Sequence, residues 1–296
     1  MSLWVGITIF AAFMQNIRFM LQKHLRTASL STGGATFSRF LFSSPLVAIG
    51  IVIYLQITGA PWPEMTLKFW LFVMAGGAGQ ILATACVVAL FTQRNFAVGI
   101  VFKKTEVVQT ALIGLVVLGE GISAWGIVAI LIGFVGVVLL SDPPNGGARF
   151  FNKAAGYGLA SGALFGIASI GYRGAALELN SADVFLKAGV ALACATAFQT
   201  LTMILYLALK EPGEITRVAA SWRVSSIVGI TSMLGSFGWF TAFALQNAAY
   251  VKALGQVELV FTFLASYFIF KERSTRRELA GIAFVIISIF CIIAAL

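Results

Sequence analysis

Seven ionisable residues of this chain lie within apolar stretches: Arg18, Arg39, Lys103, Lys104, Glu106, Lys252 and Glu258. A charge in such surroundings is kept where it is paired or meets water or a ligand. Spacing says which role is open to each. Lys103 and Glu106, in the stretch VFKKTEVVQ, are i,i+3 and share one helix face. They can form an ion pair or the charged wall of a cavity. Lys104 is turned about 100° away and is expected to run its stem along apolar surface to an interface. Gln109 extends the polar stripe by a turn. Lys252 and Glu258 are six residues apart, beyond an i,i+4 pair, so each needs a partner elsewhere. A carboxylate inside an apolar bundle suits the binding of a proton or a cationic group.

Arg18 and Arg39 are expected to snorkel to the basic side of the protein, the alternative being a cationic gate or a carboxylate clamp. Gln15 and Asn16 mark a wet face near Arg18, and Gln80 with Thr84 at i,i+4 marks another. Trp239 and Tyr250 are candidates to stack on a ligand, although aromatics in membrane helices more often pack or mark an interface. His24, the single histidine, sits beside Lys23 and reads as a surface residue. Cys86, Cys194 and Cys291 have no metal-ligand spacing and read as packing residues. No catalytic constellation, metal site or cofactor is expected. Cations outnumber carboxylates in the set, which favours an anionic or zwitterionic solute.

Composition sets the elements that must position these groups. Of 296 residues, 59% are hydrophobic and 10% charged, with a mean hydropathy of +0.96. Soluble domains carry about 25% charged residues. So little polar material cannot cover a soluble surface of this size, and an integral membrane protein is expected. The formal charge of +9 falls in short joints between apolar runs, as topology signals do. The lipid bilayer, not nucleic acid, is the expected partner. The start of the chain lacks the basic region of a cleaved signal peptide.

Apolar runs predict an all-α polytopic protein of ten transmembrane helices, near 3–22, 34–56, 67–91, 96–118, 122–141, 154–177, 184–209, 222–245, 248–270 and 277–295. A shift of 152 residues superposes Glu106 on Glu258, Trp70 on Trp222, Asn95 on Asn247, Glu120 on Glu272 and Phe13 on Phe165. The chain therefore divides into repeats at 1–141 and 154–296, joined by a loop at 142–153. Five helices in each repeat make the second enter the membrane inverted. Charge agrees with that inversion. Lys23, Arg26 and Arg94 lie in the joints after helices 1 and 3, whereas in the second half Lys210, Arg217, Arg223, Lys271, Arg273, Arg276 and Arg277 lie in the joints after helices 7 and 9. All then fall on one side, the cytoplasmic one, with both termini opposite. Small residues at Gly76-Gly77-Ala78-Gly79 and at Gly158, Gly162 and Gly166 allow close helix approach.

Two segments carry a family likeness: TEVVQTALIGLVVLGEGISAWGIVAILIGFVGVVLL, and VELVFTFLASYFIFKERSTRRELAGIAFVIISIFCII. They resemble the EamA repeat of the drug/metabolite transporter superfamily, and the likeness covers nearly the whole chain. The Glu-Pro often found in that pattern is Glu106-Val107 and Glu258-Leu259 here. Lys103-x-x-Glu106 also resembles a pattern of the superfamily's sugar-phosphate translocators, but their adjacent Lys-Arg pair has only Lys252 as a counterpart. The resemblance implies a secondary transporter of a small polar metabolite such as an amino acid, sugar derivative or amphipathic compound. It further implies alternating access and a multi-pass monomer or homodimer in a bacterial inner membrane; the buried carboxylates suit a proton-coupled exporter, with import and other coupling ions as alternatives. A channel and a membrane-embedded enzyme acting on a lipid-soluble substrate are the alternatives.

Overall fold

A computed structural model describes residues 2–28, 30–90, 102–140, 153–268 and 276–294. The first-half helices are α1 (Leu3–Ala28), α2 (Thr32–Thr58), α3 (Leu67–Leu90), α4 (Glu106–Leu118) and α5 (Ala124–Leu140). The second half gives α6 (Lys153–Glu178), α7 (Val184–Lys210), α8 (Glu214–Ala220), α9 (Trp222–Leu245), α10 (Ala248–Leu254), α11 (Val257–Phe268) and α12 (Arg276–Ala294). No strand occurs among the described residues. Six helices, α1, α2, α3, α6, α7 and α9, are long and apolar enough to cross a membrane, and α4, α5 and α12 are shorter apolar helices. Arg94, Asn95, Lys271, Glu272, Arg273, the start of the 96–118 segment and the joining loop lie outside the described residues.

Local chemistry sets the ends. Ser31 caps α2 by accepting the Gly34 N–H at 2.8 Å, and Gly59 closes it in the left-handed region at φ 64°. Asp183 caps α7 by accepting the N–H groups of Phe185 and Leu186 at 2.9 and 3.2 Å. Helix α1 outruns the expected 3–22 and carries Lys23, His24 and Arg26 within it, since no Gly or Pro stops it earlier. The joint after α7 contains a further short helix, α8.

The expected single helix over 248–270 is a correction: it is two helices, with a turn at Gly255–Gln256. The Gln256, Glu258 and Leu259 amides bond three residues back, to Ala253, Gly255 and Gln256. That tightens the ladder and restarts the helix at Val257. Gly255 keeps a helical φ of −59°, and its missing side chain leaves room for the Trp239 ring, which a Cβ would meet at 2.6 Å. The first half is interrupted likewise. Phe102 and Lys103 are helical, Lys104 and Thr105 form a turn, and α4 begins at Glu106.

Helix α3 packs most closely on α6, α5 on α12, α1 on α9 and α2 on α7. Close approach needs missing side chains. A Cβ on Gly171 of α6 would meet the Phe72 carbonyl at 2.7 Å and the Gly76 amide at 2.8 Å. The main core runs through these contacts, with Phe69, Tyr172, Leu192, Phe240 and Phe243 fully enclosed.

Candidate functional site

The two breaks put Glu106 in the first turn of α4 and Glu258 in the first turn of α11. Unpaired amides at a helix start favour a carboxylate there. Their lysine partners come from the opposite half. Lys252 Nζ lies 2.6 Å from Glu106 Oε1, with both side chains close to nine-tenths buried. Lys104 contacts Glu258 Oε1 directly, and Lys103 Nζ is 4.0 Å from the same oxygen. Gln15 Nε2 of α1 donates to Glu258 Oε2 at 3.1 Å. So the expected pairing of Lys103 with Glu106 is replaced by pairing across the halves. The snorkelling expected of Lys104 is replaced by burial, because Glu258 supplies a counter-charge nearer than the interface. Lys252 and Glu258 have separate partners, as their spacing required.

Aromatic faces enclose the ammoniums. Lys252 Nζ is 4.7 Å from the Trp239 ring centre, 5.6 Å from that of Phe165 and 5.8 Å from that of Phe243. Lys103 Nζ is 5.1 Å from the Phe19 centre and 5.5 Å from that of Phe165. Phe165 of α6 therefore stands between the two cations and offers each a negative ring face. Polar atoms around the breaks remain without hydrogen-bond partners among the described residues: Glu106 Oε1, Gln109 Oε1, Thr110 Oγ1, Trp239 Nε1 and Gln256 Oε1. The Lys252–Glu106 contact is thus a charge contact rather than an aligned hydrogen bond. Gln109 uses only its amide, donating to Thr105 Oγ1 at 2.8 Å. Beside Lys104 and Gln256 is a void of about 10 Å³, room for roughly one water.

The arginines are also corrections to the expected snorkelling, each being only 3% exposed. Arg39 of α2 donates from Nε to Ser232 Oγ at 3.1 Å, from Nη1 to Thr84 Oγ1 at 3.3 Å and from Nη2 to Ser236 Oγ at 3.2 Å. Arg18 of α1 makes a 3.4 Å contact to Gln22 Oε1 and lies 4.3 Å from the Phe19 ring centre. It is within electrostatic reach of both Arg39 and Glu258. Hydroxyls and rings inside the bundle hold these stems before they can reach a surface. Gln80 belongs to a neighbouring network, accepting from Tyr172 Oη at 2.9 Å and Gln199 Nε2 at 2.8 Å.

Two candidates, Asn16 and Tyr250, are bonded to none of these charged groups among the described residues, and His24 falls where a surface residue was expected. Asn16 is half-buried and makes no side-chain hydrogen bond to a described residue. The Tyr250 hydroxyl is engaged by the Ser123 amide and hydroxyl, both at 3.1 Å, so it ties the start of α5 to α10. His24 is exposed on α1. Among the described residues there is no cluster of His, Cys, Asp or Glu that would hold a metal.

Sequence reasoning passed over Phe165, Ser232, Ser236 and two further contacts between the halves. The i,i+4 serines were the available signal for the Arg39 cradle. Arg173 pairs with Glu120 at 2.6 Å and donates to the Phe243 and Gln246 carbonyls at the end of α9. At the start of α2, Glu214 accepts the Ser31 amide at 2.6 Å and Glu211 contacts the Ser31 hydroxyl.

The comparisons bear on this geometry. No curated protein matches the chain. Chains of solved structures do match, 28 of them. One, described only as "Crystal structure of protein", gives a TM-score of 0.70 over 98% of this chain and 95% of its own, at 14% identity. That likeness shows a shared fold. The model of the EamA-like transporter family matches residues 152–294. With the long apolar helices, the match describes an integral multi-pass membrane protein whose second half is similar to the EamA-like transporter family.

Proposed function

We propose that this protein is a secondary active transporter that moves a small anionic or zwitterionic metabolite by alternating access. The observation that carries this is the crossed pairing: each half's buried glutamate is neutralised by a lysine of the other half. Such pairs hold the halves together in one arrangement and must separate in another. Opposite charges in low dielectric attract strongly, so a charged ligand or a proton that takes over one partner shifts the balance. Glu258 touches a lysine, so a coupling proton reaches it only as Lys104 withdraws.

Ten spans in two inverted repeats, divided as 1–141 and 154–296, are part of this proposal. The packing supports it. A shift of 152 residues carries α1 onto α6 and α3 onto α9, so the contacts α1 with α9 and α3 with α6 exchange places. The breaks before Glu106 and Glu258 fall one position apart in that register. Interrupted helices near a repeat axis are a transporter's way of exposing polar backbone to a ligand. We place the protein in a bacterial inner membrane as a monomer or homodimer, with both termini on the non-cytoplasmic side and with proton-driven export as the working direction.

Purified protein in liposomes tests the proposal. Saturable uptake that is accelerated by solute on the far side supports it. Flux that rises linearly with concentration favours a channel, and chemical change of the solute favours an enzyme.

A further inference from the structure

We infer that Arg39 and Arg18, with Thr84, Ser232 and Ser236, form the binding site for an oxyanion of the transported solute, a carboxylate or a phosphate. The inference rests on the transport reading and adds the group that is recognised. Five cations are buried in this region, and they are not treated alike. Lys103, Lys104 and Lys252 lie against Glu106 or Glu258. The two arginines make no ion pair among the described residues. Arg39 has only neutral oxygens around it, and Arg18 has one long contact to an amide oxygen. Arg39 has no counter-charge in contact, which is costly for a buried cation; Arg18 feels Glu258 only at longer range, and the two arginines repel each other.

The hydroxyls give the second, independent observation. Many buried hydroxyls elsewhere in the helices spend their protons on a carbonyl one turn back, Thr110 and Ser288 being exceptions. Thr8 donates to Trp4, Ser169 to Phe165, Thr196 to Leu192, Thr231 to Ile227 and Thr241 to Phe237. Thr84, Ser232 and Ser236 break that habit. Each is more than nine-tenths buried, accepts from Arg39, and donates to no described residue. A hydroxyl that accepts from a guanidinium still holds a proton to give. Three such protons and an unneutralised fork of N–H groups form a cradle of donors only. Oxyanions accept without donating, and their planar or tetrahedral oxygens match a guanidinium in pairs. Arg39 and Thr84 belong to the first half and Ser232 and Ser236 to the second, so an oxyanion held here joins both halves directly.

Detergent-purified full-length protein tests this by thermal shift against inorganic phosphate, succinate and, at matched ionic strength, chloride. Saturable stabilisation by phosphate, succinate or both, but not by chloride, is expected, and the stronger of the two names the class. The Arg39→Gln variant should lose that stabilisation, and the Ser232→Ala/Ser236→Ala double variant should weaken it at least tenfold. If Arg39→Gln is not recovered folded, the double variant decides, since it keeps the cation. Stabilisation by neither oxyanion, or equal stabilisation of the wild type and the double variant, overturns the site. Liposome uptake separates the two readings. Saturable uptake that is indifferent to both oxyanions and to the serine changes sinks the site and spares transport. Oxyanion binding without any uptake sinks transport and spares the site.

Discussion

Removing Lys252 tests the crossed pairing at its best-defined contact. Its ammonium stands 2.6 Å from Glu106, and both side chains are nearly buried. Breaking a buried pair by deleting one partner costs about 3–5 kcal/mol, because the survivor is left uncompensated. The two deletions differ. In Glu106→Gln the ammonium still faces Trp239, Phe165 and Phe243, contacts worth roughly 0.5–2 kcal/mol together. In Lys252→Met the Glu106 carboxylate loses its contacting cation and keeps only the longer-range field of Lys104. Lys252→Met is therefore expected to be the more damaging by about 1 kcal/mol. The double variant removes both charges and should recover most of the loss, giving a coupling of about 2–4 kcal/mol in a double-mutant cycle. Thermal unfolding in detergent reads this out, with single-variant shifts of about ten degrees. Additive losses in the double variant would refute the reasoning, for then the two residues do not answer each other.

Four further outcomes follow from the geometry. Gly171→Leu should abolish folded protein, as its side chain would enter backbone atoms of Phe72 and Gly76; size-exclusion profiles of detergent extracts check it. Asp183→Ala should cost about 1–2 kcal/mol through the lost α7 cap, and the Tyr54 hydroxyl bond of 2.6 Å goes with it. Burial raises the Asp183 pKa, but the Tyr54 hydroxyl and the two helix amides outweigh it and hold the group below its ordinary value. Its stabilisation is thus complete above about pH 4 and fades as pH falls through the lowered value, so wild type and Asp183→Ala should converge in acid melts. Glu211→Gln/Glu214→Gln should loosen the contact with Ser31, seen as faster amide hydrogen exchange at the start of α2. Tyr250→Phe should lose about 1 kcal/mol of stability and leave solute selectivity unchanged, since its hydroxyl serves Ser123.

Much of the molecule was legible in the chain. Composition alone forced a membrane protein, because 10% charged residues cannot cover a soluble surface of this size. Apolar run lengths located the six long helices. Spacing also said correctly that Lys252 and Glu258 needed partners elsewhere. These are local properties, decided within a turn or two of chain. Spacing could not say which partner each buried charge would take. The i,i+3 rule offered Glu106 to Lys103, yet Glu106 meets Lys252 and Glu258 meets Lys104. The helix breaks and the packing of α1, α4, α6 and α9 decided that, since counter-charges in a low dielectric are chosen by distance in space. The same holds for Arg39. Its sequence neighbours suggest a surface cation, and only the approach of α3 and α9 shows a guanidinium enclosed by three hydroxyls.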